Sequence, residues 1–325
     1  MGGSYRVFPL DNKANYTQQW NLTLQRQFGS DWSATIAYIG NKGTHLWIEG
    51  ETNPAIYLPG GSSGTNINQR RLLSLTNPAI GQYYSNVIRA MRAGNSSYHG
   101  ALATVQKRFT TGVSALVNYT WSHCIDIAVQ PFTIANATVP DAFNLGQNRG
   151  NCNQDIRHNF SGSFVFASPK FASPLLQKLA GNWQVSPIIR IASGLAVNPV
   201  SSRDNAFNGD NVNQRPNLVG NPNMDQPTFD RWFNTAAFVA NGPGELGTAG
   251  RNILRGAKNT TINVALSRRF TVREGQSVEL RGEAFNLPNL VNPDPPNGSF
   301  ASPLFGKVTS AGDPRILQFA LKYVF

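Results

Sequence analysis

Alternation with a period of two residues is what most narrows the fold of this chain. In residues 16–28 the even positions hold Tyr16, Gln18, Trp20, Leu22, Leu24, Arg26 and Phe28; the odd positions hold Thr17, Gln19, Asn21, Thr23, Gln25 and Gln27. Neighbouring side chains of a strand point to opposite faces, so one face is mostly apolar and aromatic and the other wholly polar. A helix would mix the two sets. The pattern recurs at 32–40 (Trp32, Ala34, Ile36, Tyr38), 98–109 (Ala101, Ala103, Val105, Lys107, Phe109) and 113–123 (Val113, Ala115, Val117, Tyr119, Trp121). It returns at 158–167 (Phe160, Phe164, Phe166), 183–193 (Trp183, Val185, Ile189, Ile191), 260–270 (Ile262, Val264, Leu266, Arg268, Phe270), 276–286 (Val278, Leu280, Ala284) and 315–325. Most of these stretches have the roughly 9–11 residues that a tilted membrane strand requires.

The connections alternate in length. Residues 29–31, 110–112 and 271–275 are short and Gly-containing, and 168–182 is a medium link with a helical turn expected around Leu175–Leu179. Between them lie long polar segments near 49–97, 125–157, 199–258 and 287–314. Short turns at one end and long loops at the other are the arrangement of an outer-membrane barrel; a soluble sandwich has no reason to sort its loops by side. The expectation is an all-β chain: an antiparallel transmembrane β-barrel segment of about nine meander strands, with short periplasmic turns and long extracellular loops, residues 1–325 forming one partial barrel domain. On this count the chain starts outside and Phe325 finishes inside.

Composition agrees with that expectation. Charged residues are 14% of the 325, against about a quarter in soluble domains. No run approaches the roughly 18 apolar residues of a spanning helix, which excludes a helical membrane protein and leaves a barrel open. Net charge is +11, from 28 basic and 17 acidic residues, but the cations are scattered as singles and pairs at strand ends. A nucleic-acid partner is therefore not expected. Met1-Gly2-Gly3-Ser4 lacks the charged start and apolar core of a secretory signal. An exported chain needs one, so the sequence is expected to lack an N-terminal part, with neither signal peptide nor plug domain present.

Three strands end alike, with Gln-Arg-Gln-Phe at 25–28, Gln-Lys-Arg-Phe at 106–109 and Ser-Arg-Arg-Phe at 267–270. In each the ring is on the apolar face with Arg26, Lys107 or Arg268 two positions before it, which suits a ring among headgroups and a cation reaching outward. Phe28, Trp32, Phe109, Trp121 and Phe270 are the expected membrane-interface girdle, with Trp20, Trp47, Tyr98 and Tyr119 near the Trp121 end. Gln19, Asn21, Thr23, Gln25, Glu279, Arg281 and Glu283 are the expected lumen-facing residues.

No catalytic constellation stands out. His45, His99, His123 and His158 are isolated from any nucleophile, and Glu279 with Glu283 shares a strand face with Arg281, as an inward polar ladder would. The chain is read as no enzyme and as needing no cofactor. Cys124 and Cys152 sit at the outer end of one hairpin, where a disulfide closing 125–151 is expected. A zinc site of His123, Cys124, Cys152 and His158 is the rival, and adjacent strand residues pointing to opposite faces disfavour it. The segment 204–213, with Asp204, Asn205, Asn208, Asp210, Asn211 and Asn213, is rich in oxygen ligands without the EF-hand spacing; calcium binding and an ordinary turn cluster both remain open.

The last residues, with Leu317, Phe319, Leu321, Tyr323 and Phe325 in phase, resemble the C-terminal assembly signal of outer-membrane barrels, recognised by strand addition. Other stretches resemble the barrel of Oar-like TonB-dependent transporters, often found beside a carboxypeptidase-regulatory-like domain. They are Tyr-Thr-Gln-Gln-Trp-Asn-Leu at 16–22, Tyr-Ile-Gly-Asn-Lys-Gly-Thr-His-Leu at 38–46, Asn-Tyr-Thr-Trp-Ser-His at 118–123, Asp-Ile-Arg-His-Asn-Phe at 155–160, Gly-Arg-Asn-Ile-Leu-Arg-Gly at 250–256 and Phe-Gly-Lys-Val-Thr-Ser-Ala-Gly-Asp-Pro-Arg at 305–315. The resemblance implies energised uptake of a bulky ligand, carbohydrate or another oligomeric nutrient, across the bacterial outer membrane. Implied partners are the outer-membrane bilayer, the barrel-assembly machinery, an inner-membrane energising complex and an extracellular ligand. A passive porin or surface adhesin, and a secreted β-rich carbohydrate-binding protein, are the alternatives.

Overall fold

The computed structural model describes residues 2–10, 13–127, 138–210 and 214–325. In chain order its strands are β1 (Gly3–Val7), β2 (Tyr16–Phe28), β3 (Trp32–Glu51), β4 (Tyr84–Thr110), β5 (Val113–Ile127), β6 (Thr138–Val139), β7 (Arg149–Asn151) and β8 (His158–Ala167). There follow β9 (Trp183–Ala192), β10 (Ala196–Val197), β11 (Asn217–Leu218), β12 (Phe238–Val239), β13 (Leu254–Arg255), β14 (Asn259–Arg273), β15 (Gln276–Phe285) and β16 (Ile316–Val324). The long strands form one path, β16-β15-β14-β9-β8-β5-β4-β3-β2, antiparallel at every step. The sheet does not close on itself: β2 and β16 are its edges, and every residue of both is exposed.

Register turns the alternation of each strand into two continuous faces. Leu24, Ile36, Ala103, Tyr119, Phe160 and Ile191 stand opposite one another in succession from β2 to β9. One residue along, Gln25, Thr35, Thr104, Asn118, Ser161, Arg190 and Thr261 make a polar row across seven strands. A one-residue slip in any strand would interrupt both rows, so each pairing reinforces the next. The apolar face has no protein cover: Leu24 is 67%, Ile36 65% and Phe319 81% exposed. That much contiguous apolar surface is unstable in water at about 25 cal/mol per Å².

At one end of the sheet the strands join by tight turns around Gly29, Gly112 and Gly275, all with positive φ, and by a link carrying the helix Pro174–Ala180. At the other end the connections are not plain loops. β3 runs to Glu51 and β4 begins at Tyr84, well beyond the 32–40 and 98–109 read from alternation. Their pairing continues to Glu51 opposite Ile88 through two register shifts between Thr44 and Ile48. Bulges break the period of two, which is why this part of the hairpin reads as loop in the sequence. The segment also holds two short helices, Leu72–Thr76 and Pro78–Gly81. The two clusters of buried apolar residues lie at this end, in the connections and in the ends of β3 and β5 that reach them.

Candidate functional site

The projecting β3–β4 hairpin is the base of a folded cap. β1 pairs in parallel with its β4 side and β6 with its β3 side, covering two edges that would otherwise be bare. Ile48, Ile127 and Val139 are buried together beside it, with Met91 and Leu145 packed on them. Glu49 is fully buried, and its carboxylate is met by Arg6 of β1 at 2.9 Å.

Buried arginines then clamp one connection to the next. Arg70 is 2% exposed; it donates to Asn66 Oδ1 at 2.7 Å, the Ile56 carbonyl at 2.6 Å and the Phe207 carbonyl at 3.0 Å. Arg71 donates to the Asn53 carbonyl at 2.8 Å and to Asn86 Oδ1, and lies 3.6 Å from Glu51. Burial lowers its pKa, against the pull of Glu51 and Asp204. Arg215 donates to Asn148 Oδ1 at 2.6 Å and to the carbonyls of Ala249 and Gln147. Arg251 donates to the Asn148 carbonyl at 2.9 Å and forms an ion pair with Asp126. Two connections, β5–β8 and β9–β14, therefore meet at Asn148. Burial lowers the pKa of Arg215 and takes that of Arg251 down to about 10, the cost of placing a cation among dipoles instead of water.

The structure joins Cys124 to Cys152 in a disulfide, Cα atoms 5.4 Å apart. Below it, Asp155 accepts the Cys124 amide at 2.7 Å and pairs with Arg255. Burial alone would raise this carboxyl; the hydrogen bonds from Arg255 and the Cys124 amide outweigh it and hold the group below its ordinary value. His123 is 3.4 Å from Asp155, whereas His158 is held elsewhere by Tyr119. The cysteines and histidines of the rival zinc reading are thus spread over different contacts.

In the segment 204–213, Asp204 accepts the amides of Asn208 (3.1 Å) and Gly209 (2.8 Å) and the Gln214 side chain (2.7 Å). Asn211 and Asn213 lie outside the described residues. Further along, Phe233, Phe238, Phe300 and Phe305 pack edge to face over Leu254 and Val197. Against the Asp204 turn opens a cavity of about 250 Å³, walled by Glu51, Tyr57, Asp141, Phe143, Asn208 and Leu246, with Tyr57 stacked on Phe207. Aromatic faces beside carboxylate and amide oxygens suit a hydroxyl-rich ring.

The residues singled out in the sequence fall into separate places. Phe28 stands opposite Trp32 at the tight-turn end, Arg26 lies over the Phe28 ring at 5.3 Å, and Arg268 lies over Phe270 at 4.7 Å. Phe109 is exposed at that end, and Trp121 at the cap end. Gln19, Asn21 and Thr23 share the polar face with Glu279, Arg281 and Glu283; Arg281 donates to Glu283 at 2.8 Å and Arg269 to Glu279 at 3.2 Å. Leu317, Phe319, Leu321 and Tyr323 share the apolar face of edge strand β16, and Phe325 follows it. None of these belongs to the cap. Sequence reading missed Arg70, Arg215, Arg251 and Asn148, which carry no periodicity. One trace was present: 155–160 and 250–256, noted separately, touch through Asp155 and Arg255.

Residues 1–318 match the family model described as outer membrane beta barrel domain. Among solved structures the chain is similar to the outer membrane transporter YddB from Escherichia coli, at TM-score 0.51 and 9% identity over 99% of this chain and 34% of that one. It is also similar to the FrpB iron transporter from Neisseria meningitidis, at TM-score 0.47 and 12% identity over 98% of this chain and 32% of that one. The chain thus spans about a third of the length of these structures. The YddB likeness is one of fold. No curated protein matches the sequence.

Proposed function

The chain belongs to the outer membrane beta barrel domain family, and from that premise we propose that it forms wall and extracellular cap of an Oar-like TonB-dependent receptor that imports a bulky, hydroxyl-rich nutrient, an oligomeric carbohydrate. In this reading the apolar face meets lipid and the polar face lines the lumen. The cap is extracellular, and the tight turns and the aromatic belt with Arg26 and Arg268 are periplasmic. The bare edges of β2 and β16 need further strands, because hydrocarbon cannot hydrogen-bond them. Receptors of this kind close about 22 strands around a plug, so these nine are read as part of a larger wall, truncated at its N-terminal side.

The observation that carries the reading is the cap itself. Buried arginines and a disulfide hold three long connections in one arrangement around a cavity of about 250 Å³; a passive pore has no need of such order. The test is uptake of fluorescent oligosaccharides by the native host. Deleting the gene should abolish it, and so should collapsing the inner-membrane proton gradient. Uptake that survives the collapse would instead support the passive porin, and undiminished uptake in the deletion strain would overturn the proposal.

A further inference from the structure

On the apolar face, just below the cap, one two-residue unit occurs twice. The Tyr38 hydroxyl is 2.8 Å from His99 Nδ1, with the rings 6.2 Å apart and inclined by 23°. Tyr119 and His158 repeat the same distance, separation and angle. Register explains the repetition: Tyr38 stands opposite Ala101 and Tyr119 opposite Phe160, and in both cases the histidine is two residues nearer the cap on the facing strand. Between the pairs lies His123, directly opposite His99, and Lys42 lies four residues capward of Tyr38 on its own strand, on the same face as Gly40.

Each pair has one donor to spare. If the tyrosine hydroxyl donates to Nδ1, the imidazole Nε2 carries the proton and points its N–H elsewhere; if Nδ1–H donates, the hydroxyl hydrogen is left over. Among the described residues no second hydrogen-bond partner meets either imidazole. Charge on this face is of one sign. Below the projecting hairpin it carries Lys42 at the cap end and Arg26, Lys107 and Arg268 at the tight-turn end, whereas the carboxylates of the strands, Asp126, Glu279 and Glu283, are all on the other face. The nearest acid is Asp155, paired with Arg255, 3.4 Å from His123 and 3.8 Å from Arg157.

We propose that Tyr38–His99 and Tyr119–His158, with Lys42 beside the first pair and His123 between the two, hold the phosphate-bearing headgroups of lipid in the outer leaflet. The proposal rests on the reading that the apolar face meets lipid. A phosphate oxygen accepts the spare donor of each pair, and Lys42, the strand cation of this face at the cap end, supplies the complementary charge. Each tyrosine is a positioning residue, fixing its imidazole by one ring nitrogen so that the other side is presented outward.

The chain has four histidines, so the test can be made on imidazole nitrogen itself. Full-length protein with isotopically labelled histidine is placed in phosphatidylglycerol–phosphatidylcholine vesicles, and nitrogen–phosphorus dipolar dephasing is recorded. His99→Gln and His158→Gln assign the signals. Both signals should dephase, His45 should not, and Tyr38→Phe or Tyr119→Phe should at least halve the effect at its own histidine. In phosphate-free galactolipid vesicles supplied with inorganic phosphate there should be no dephasing; its appearance there would show a free-anion site and overturn the lipid assignment. A spin label at position 24 in the same vesicles separates the two ways of failing. Hydrocarbon at the label without dephasing overturns the headgroup site alone, and water at the label overturns the reading of the face together with the site. Coupling between labelled copies without dephasing would make this face a contact between chains and likewise overturn it.

Discussion

The indole of Trp20 lies across Gly40, its directly opposed residue on the neighbouring strand, and reaches His99 one strand further, ring centres 6.2 Å apart. A Cβ at position 40 would run into Cε2 and Nε1 of the indole. The glycine is needed for that close approach rather than for its dihedral freedom, an aromatic covering a strand glycine. Gly40→Ala should therefore destabilise the folded chain in micelles by about 1–3 kcal/mol through overpacking. In urea titrations of the single and double variants, Trp20→Ala should remove most of that cost, because the two residues are coupled. Additive effects would show that the indole and the glycine are independent.

Asp126 and Arg251 are 5% and 7% exposed and are each other's charge partners across two cap connections. Replacing one member leaves a buried charge without compensation, so Asp126→Asn should cost the cap about 3–5 kcal/mol. Replacing both by apolar residues of similar volume should cost much less. Limited proteolysis between 138 and 258, followed by mass spectrometry, reads this locally; strand β14 should stay protected in every variant.

That pair also marks where sequence reading stops. Strand positions were legible because hydrocarbon and water select side chains with the period of the backbone itself, as in Leu22 to Asn21 to Trp20. Arg215, Arg251 and Asn148 obey no period. Each satisfies carbonyls or a carboxylate brought from a distant segment, and a lone arginine in a polar stretch looks the same whether buried or solvated. Cys124 and Cys152 were noticed because only two cysteines are present and both fall at one end of a hairpin. The bulges after Thr44 had the opposite effect, hiding the upper part of β3 by breaking the alternation.

Asp155 gives the cap a dependence on acid. Its folded carboxyl titrates below its ordinary 3.8 because Arg255 and the Cys124 amide bind the charged form. The stabilisation is complete above the unfolded value and is lost as pH falls through the lower folded value. Cap unfolding followed by a fluorophore near residue 150 should lose stability on acidification from pH 5 to 2.5, and Asp155→Asn should flatten the response. Asp31, also lowered, by hydrogen bonds from Ser30 and Thr110, acts at the opposite end of the sheet and should not move that probe.

The disulfide closes a loop whose ends are 28 residues apart. In the chain-entropy model such closure is worth about 3.5 kcal/mol. The hydrogen bonds that Asn151 and Asn252 exchange backbone to side chain, at 2.8 and 2.7 Å, do not depend on the sulfur bridge. Cys124→Ser with Cys152→Ser should therefore lower the unfolding midpoint of the cap while leaving the sheet's β signature in circular dichroism unchanged. Loss of the sheet itself would mean that the bridge acts on strand pairing rather than on the cap.

The assignment of faces can be tested by single spin labels at 21, 22, 23, 24, 264 and 266. Leu22 and Leu24 are 64% and 67% exposed and Leu266 42%, all on the apolar face, with Asn21 and Thr23 between on the other. In water, exposing such a face costs about 1.5–3 kcal/mol for each large side chain, a sum that exceeds the stability of any domain. Hydrocarbon removes that cost and leaves the polar residues to a wetted interior. In reconstituted vesicles the labels at 22, 24, 264 and 266 should be relaxed by oxygen and protected from a water-soluble nickel complex. Labels at 21 and 23 should show the reverse, so accessibility should swing with a period of two along β2. A uniform aqueous response at all six positions would mean that the apolar face meets water rather than lipid, and the outward and inward roles of every strand would have to be reassigned.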